Sequence, residues 1–143
     1  DEPAVFIRLR DEFAHRLVHC GFIDNRDRYL SLLAGADLVL STAHHEFQGL
    51  AILEAVACGC LPVVPDRLAY AELYAAQFRY RSTPAQPDGE AEAAVALIDA
   101  LAARHRRGLR APDVSAFRGA ALAPRYRDML AAAIAAHRMA WRR

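Results

Sequence analysis

Apolar positions along this chain switch between two periods, and each switch marks an element. Residues 4–18 repeat apolar side chains at helical spacing, with Val5, Leu9, Phe13 and Leu17 on one face. Residues 19–23 read as a short strand that ends at the turn formers Asp24 and Asn25. A helix is predicted over 27–34 with Tyr29, Leu30 and Leu33 inward, followed by a strand over 37–41. An apolar helix over 49–58, closed by Gly59 at its C-terminal cap, precedes a strand over 61–64. A brief helical turn over 67–74 and a weak strand over 78–81 lead into the loop 82–87. A helix over 90–106 carries Ala93, Leu97 and Leu101 on its apolar side; residues 108–112 break it, and a final helix runs over 124–139. Short apolar strands alternating with helices predict an α/β fold, a parallel sheet covered by helices on both faces. Ligands of such sheets gather at the C-terminal ends of the strands.

Size and charge narrow this picture. The 143 residues suffice for one domain with a real core, here expected to span 1–143. Although 55% of the residues are hydrophobic, no run approaches the ~18 apolar residues of a membrane helix. The charged start, interrupted by Pro3, is unlike a signal peptide, and its abruptness at Asp1 is that of a C-terminal domain or fragment. The net charge of +1 conceals an asymmetry. Residues 1–103 hold 8 arginines against 15 acids, or −7, and residues 104–143 hold 10 against 2, or +8. No lysine occurs. The basic end reads as a solvated helical face, or as a surface for an acidic partner such as RNA. Cys20, Cys58 and Cys60 lack paired metal or redox spacing and are expected to be reduced and buried in a cytoplasmic protein.

Candidate chemistry concentrates in residues 45–54, His-Glu-Phe-Gln-Gly-Leu-Ala-Ile-Leu-Glu. Glu46 follows a strand end, Gly49 opens an apolar helix, and Glu54 stands inside that helix. Loop amides and the helix dipole attract a diphosphate, and carboxylates accept hydrogen bonds from sugar hydroxyls. That combination points to a sugar-nucleotide site. Glu54 is the one polar residue of its helix, and a buried carboxylate without a partner costs several kcal/mol. It faces either a cleft that holds ribose hydroxyls or an arginine such as Arg67 or Arg79. Glu46 is either a contact to sugar hydroxyls or a charge favourable at a helix N-terminus. Gly49 either admits a ligand to the backbone or simply starts the helix. His44 and His45, adjacent in an extended loop, point opposite ways and do not converge on a metal; one of them is a candidate hydrogen-bond partner of a sugar. Ser41 and Thr42 read as caps. A serine nucleophile lacks its elbow and a phosphate-binding loop lacks its lysine, so hydrolase triads and P-loop nucleotidases are excluded.

The spacing Glu46-x7-Glu54, followed by Ala55-Val56-Ala57-Cys58-Gly59 and Leu61-Pro62-Val63-Val64, resembles the donor-binding half of retaining family-4 glycosyltransferases of the GT-B fold. Gly21-Phe22-Ile23, Tyr29-Leu30 and residues 36–42 fit the same pattern, so the resemblance covers roughly residues 17–83. Phe47 and Gln48 depart from the glycine and phenylalanine of most members. Ser41-Thr42-Ala43-x-His45-Glu46-Phe47, with Tyr70-x-Glu72-Leu73 and Ser82-Thr83-Pro84, is most similar to the tRNA-queuosine α-mannosyltransferase subgroup and its bacterial relatives.

That resemblance implies a Rossmann-like parallel sheet flanked by helices, the C-terminal half of a GT-B enzyme. It implies that Glu46 holds donor-sugar hydroxyls, with the amides of Phe47, Gln48, Gly49 and Leu50 around sugar and diphosphate. Glu54 would hold the ribose, Ile23 with Asp24 or Asn25 would border the base, and His45 would lie beside the sugar. It further implies GDP-mannose as donor, tRNA as an acceptor, and neither an obligatory metal nor another cofactor. The diphosphate-stabilising cations and the acceptor domain of such enzymes precede the matched region, so this stretch by itself is expected to be inactive. Three rival readings remain: transfer of another UDP- or GDP-sugar to a glycan, lipid or small molecule, a non-catalytic nucleotide-binding regulator, and an RNA-binding module.

Overall fold

The computed structural model describes the backbone of residues 4–140 and the side chains of residues 4–137. Asp1 to Pro3, on which the abrupt start was read, lie outside the described residues. The chain forms two compact units, one up to Ser31 and one from Leu32 onward.

In the first unit, α1 spans Ala4–Glu12 and a 3-10 turn spans Ala14–Arg16, so the helix expected over 4–18 ends early. Val5, Leu9, Phe13 and Leu17, expected on one helical face, are each well exposed, and the last two lie beyond the helix. The strand expected over 19–23 does not form. Gly21 at φ +107° leaves the extended region, and the His19 ring reaches the Gly21 carbonyl at 3.0 Å; an isolated extended segment has no ladder to satisfy its backbone. Cys20 is consequently exposed rather than buried. Asn25 caps α2, which spans Arg26–Ala34 and continues into the second unit: its Oδ1 accepts the Arg28 amide at 2.8 Å. Tyr29, Leu30 and Leu33 are the half-buried residues of that helix, as its pattern indicated.

The second unit holds a three-stranded parallel sheet, β1 (Leu38–Leu40), β2 (Leu61–Pro65) and β3 (Arg79–Tyr80), in the order β1-β2-β3. Helices flank it in a Rossmann-like α/β arrangement: α3 (Leu50–Ala57) packs on β1 and β2, and α5 (Pro87–His105) on β2 and β3. Every residue of β2 is buried. Side chains alternate between faces along a strand, so both faces of the sheet are covered. Leu61, Val63, Val64, Ile52, Val56 and Leu101 form the centre of the core.

Two prolines in a central strand need an explanation, because proline cannot donate to a ladder. The Leu61 amide donates to the Asp37 carbonyl and the Ser41 amide to the Val63 carbonyl, so residues 61 and 63 bond β1. Pro62 and Val64 therefore face β3, whose ladder begins only at Val64. Pro65 faces β1 again, beyond its last pairing at Leu40. Each missing donor falls where no strand lies. The sheet opens at the C-terminal end of β1, where the loop 41–49 departs.

A Schellman motif closes α3: the Gly59 amide donates to Val56 at 3.0 Å and the Cys60 amide to Ala55 at 3.1 Å, with Gly59 at φ +110°. The short helix α4 spans Ala69–Leu73. Helix α5 starts at Pro87, ahead of the predicted residue 90, because a proline in the first turn needs no donor and has its φ preset. The last helix, α6 (Gly119–Ala140), likewise begins before its predicted start and takes Pro124 inside it. No described helix is long and apolar enough to cross a membrane.

Candidate functional site

The loop 41–49 leaves β1 at the open end of the sheet and is fastened from below. Ser41, buried, is its root: the Tyr70 hydroxyl donates to Ser41 Oγ at 2.8 Å and the Tyr80 hydroxyl to its carbonyl at 2.8 Å. Burial pushes both phenols above their ordinary range, so both remain donors at neutral pH. Ser41 Oγ also takes the Ala43 amide at 3.3 Å, the local turn expected of a serine after a strand. Arg67 then clamps the loop from the far side, its Nε donating to the Ala43 carbonyl at 3.1 Å.

Arg67 is held in turn. Its Nη1 donates to Ser82 Oγ at 2.9 Å and pairs with Glu90 Oε1 at 2.7 Å, both side chains 11% exposed. The other oxygen of Glu90 accepts the Thr83 amide at 2.9 Å. Arg67 Nη2 is buried with no hydrogen-bond partner among the described residues. A planar guanidinium presents donors in fixed directions, which suits three acceptors on separate segments. Leu68, next in sequence, sits at φ 49° and ψ −138°, a strained setting for a non-glycine residue that costs on the order of 1–3 kcal/mol.

At the end of the loop, Glu46 Oε1 accepts the Gln48 amide at 3.0 Å and the Gly49 amide at 2.7 Å. These bonds, the Gly49 one first, hold its carboxyl below the usual glutamate range. The carboxylate thus fills part of the amide cradle that was assigned from sequence to a donor. Gly49 is buried at φ +67°, and a Cβ there would meet Leu73 Cδ1 at 2.9 Å and Tyr70 Cε1 at 3.4 Å. Its lack of a side chain serves the left-handed turn and the packing of α4 at the start of α3. Phe47 is 80% exposed, and His44, His45 and Gln48 are exposed too.

Glu54 stands one turn into α3, half-buried, and lines a groove of about 260 Å³ with Leu50, Leu53, Val114, Phe117 and Arg118. Of the two arginines named for it from sequence, Arg67 pairs with Glu90 at 2.7 Å and Arg79 with Asp66 at 2.8 Å. Next to Val114 in sequence, Asp113 Oδ1 accepts the Ser115 amide at 2.8 Å and its Oδ2 the Ser115 hydroxyl at 3.0 Å. The amide bond to Ser115 lowers the Asp113 carboxyl.

The structure therefore brings Glu46, Phe47, Gln48, Gly49 and Leu50 together at the mouth of α3, and Leu50 and Glu54 together on one groove. His45 flanks them on the exposed side of the loop. Ile23, half-buried, and Asp24, exposed, belong to the first unit. Arg67, Glu90, Tyr70, Tyr80, Phe117 and Arg118 were not singled out from sequence as site residues. A lone arginine just after the prolines of β2 was the available signal for Arg67; Phe117 and Arg118 carried none. Among the described residues no set of three His, Cys, Asp or Glu could hold a metal ion.

Comparison with known proteins adds sequence relationships. The tRNA-queuosine alpha-mannosyltransferase of Drosophila melanogaster is 40% identical over 83 residues, 58% of this chain and 22% of that enzyme. The GDP-mannose-dependent alpha-(1-6)-phosphatidylinositol dimannoside mannosyltransferase of Mycobacterium tuberculosis is 40% identical over 90 residues, 61% of this chain and 22% of that enzyme. The chain thus spans about a fifth of the length of these curated relatives, 22% in each case. No family model and no solved structure matches it. Over more than half of its length, the chain is similar to glycosyltransferases whose names share the transfer of mannose.

Proposed function

We propose that this chain is the donor-binding part of a cytoplasmic, retaining mannosyltransferase of the GT-B type, with GDP-mannose as the donor. The observation that carries the reading is the β1–α3 crossover. It ends in a fastened loop with Glu46 on the Gln48 and Gly49 amides, and it continues into a helix whose Glu54 lines a groove. In this reading Glu46 turns its second oxygen to sugar hydroxyls, the mouth of α3 accepts the diphosphate, and Glu54 takes the ribose. His45 completes the sugar contacts. The relatives support mannose as the transferred sugar, because their names agree on it while naming different acceptors. Queuosine in tRNA is the acceptor proposed here, following the subgroup motif around Ser41 to Phe47; the lipid acceptor in the mycobacterial name supports the rival.

Catalysis would reside in how the site is preorganised. Dipoles fixed before the reaction stabilise charge on a leaving diphosphate without reorganising. A loop pinned at Ser41, Ala43 and Gly49 meets that requirement. Titration of the chain with GDP-mannose, UDP-glucose and GDP tests the reading. GDP-mannose is expected to bind more tightly than GDP, with the difference lost in Glu46→Ala and GDP binding itself weakened in Glu54→Ala. Binding of tRNA with no response to any nucleotide would replace this reading with an RNA-binding module.

A further inference from the structure

We propose that Arg67, locked by Glu90, is a positioning residue for Glu46: it tethers the Ala43 carbonyl so that the loop presents Glu46 and its two amides as one rigid unit. The proposal rests on the donor-binding reading for its consequence, while its geometry stands apart from it. Arg67 joins three segments: the loop after β1 at Ala43, the turn after β3 at Ser82, and α5 at Glu90. Glu90 adds the Thr83 amide, so the pair fixes both loops at the C-terminal edge of the sheet.

The position of the strain agrees with this role. Leu68, at φ 49°, lies between Arg67 and Tyr70, the two residues that grip the loop at Ala43 and Ser41. A non-glycine residue is held in such a conformation only where its surroundings over-determine it, and strain of this kind clusters at functional sites. A pair that merely filled space would not need charge, since apolar residues of similar volume often serve as well or better. What apolar residues cannot supply is the directed bond to Ala43. Three residues beyond that bond stands Glu46, so the tether at Ala43 fixes where its turn onto the Gln48 and Gly49 amides sits against the sheet.

The test uses the whole chain and removes both charges together, Arg67→Met with Glu90→Gln, so that neither is left buried alone. Amide hydrogen exchange at Gln48 and Gly49 reads the loop directly, without ligand. It is expected to accelerate about tenfold in the double variant, with the core strand β2 unchanged. In titrations the preference for GDP-mannose over GDP is expected to fall about tenfold while GDP affinity stays within about twofold, and adding Glu46→Ala is expected to remove nothing more, because coupled residues are not additive. Arg67→Lys, which keeps charge without the fork, is expected to behave like the double variant. Unchanged exchange and unchanged preference would overturn the proposal. So would a parallel loss of GDP and GDP-mannose binding that tracks melting temperature. If the unaltered chain shows no preference for a sugar nucleotide, the donor-binding reading fails, and the exchange measurement alone decides whether Arg67 orders the loop.

Discussion

The loop 41–49 and the outer face of α3 each present one glutamate, and they hold it by opposite means. Around the loop, position depends on directed polar bonds, buried at Ser41 and nearer solvent beyond it: two tyrosine hydroxyls on Ser41, a guanidinium on Ala43, two amides on Glu46. On α3 the helical repeat puts the Glu54 backbone beside a groove whose other lining residues are mostly apolar. A contact made of directional bonds gives exact placement but is vulnerable to the loss of any one of them. A contact set by helical repeat tolerates change in its neighbours. The site therefore joins a precise element to a robust one, and substitutions should separate the two.

Arg67→Ala should have the largest effect, because it strands Glu90 as a buried carboxylate; the expected loss is about 3–5 kcal/mol by urea denaturation. Arg118→Ala, on the wall of the Glu54 groove, should stay within about 0.5 kcal/mol, as exposed substitutions do. Equal losses at the two arginines would erase the contrast. Gly49→Ala comes next, at about 2–3 kcal/mol. An alanine at positive φ costs about 1–2 kcal/mol alone, and its Cβ would stand 2.9 Å from Leu73. A thermal melt that shows no change would mean that α4 yields freely and the loop is not pinned there.

Ser41→Ala should cost about 1–3 kcal/mol, since the buried Tyr70 hydroxyl would lose its acceptor. Ser41→Ala in Tyr70→Phe should be milder than the two single losses summed, because both partners then go together. Additive losses would show that the two hydroxyls are not coupled.

The elements of the second unit were legible in the sequence because each carries a local signal. Unbroken apolar runs mark β1 and β2, Gly59 marks the end of α3, and helical spacing marks α5. The helix start at Gly49, with a carboxylate on either side of it at Glu46 and Glu54, was legible as well. What holds Glu46 was not. Arg67, Ser82 and Glu90 are 15 and 8 residues apart in sequence, and only strand order and loop path bring them to Ala43. The strand expected over 19–23 failed for a related reason: propensity proposes an extended segment, but a neighbouring ladder must accept it. Gly49 shows a further limit, because a glycine reads alike in sequence whether it makes room for a ligand or for Leu73.

The smallest predicted effect follows the acid titration of Glu46. Its carboxyl is lowered in the folded chain, first by the Gly49 amide and then by the Gln48 amide. A group depressed in this way contributes stability above its unfolded value, near about 4.3 for a free glutamate, and that contribution is lost as pH falls through the lower folded value. Glu46→Gln removes the charge and with it the linkage. The unaltered chain should therefore lose more stability than Glu46→Gln between about pH 5 and pH 3, with parallel curves at neutral pH. The site lies close to solvent, which screens the charge, so only a modest gap is expected. If Glu46→Gln and the unaltered chain lose stability alike as the pH falls, the two amide bonds do not anchor the loop through the carboxylate charge, and the contrast with α3 fails on that side.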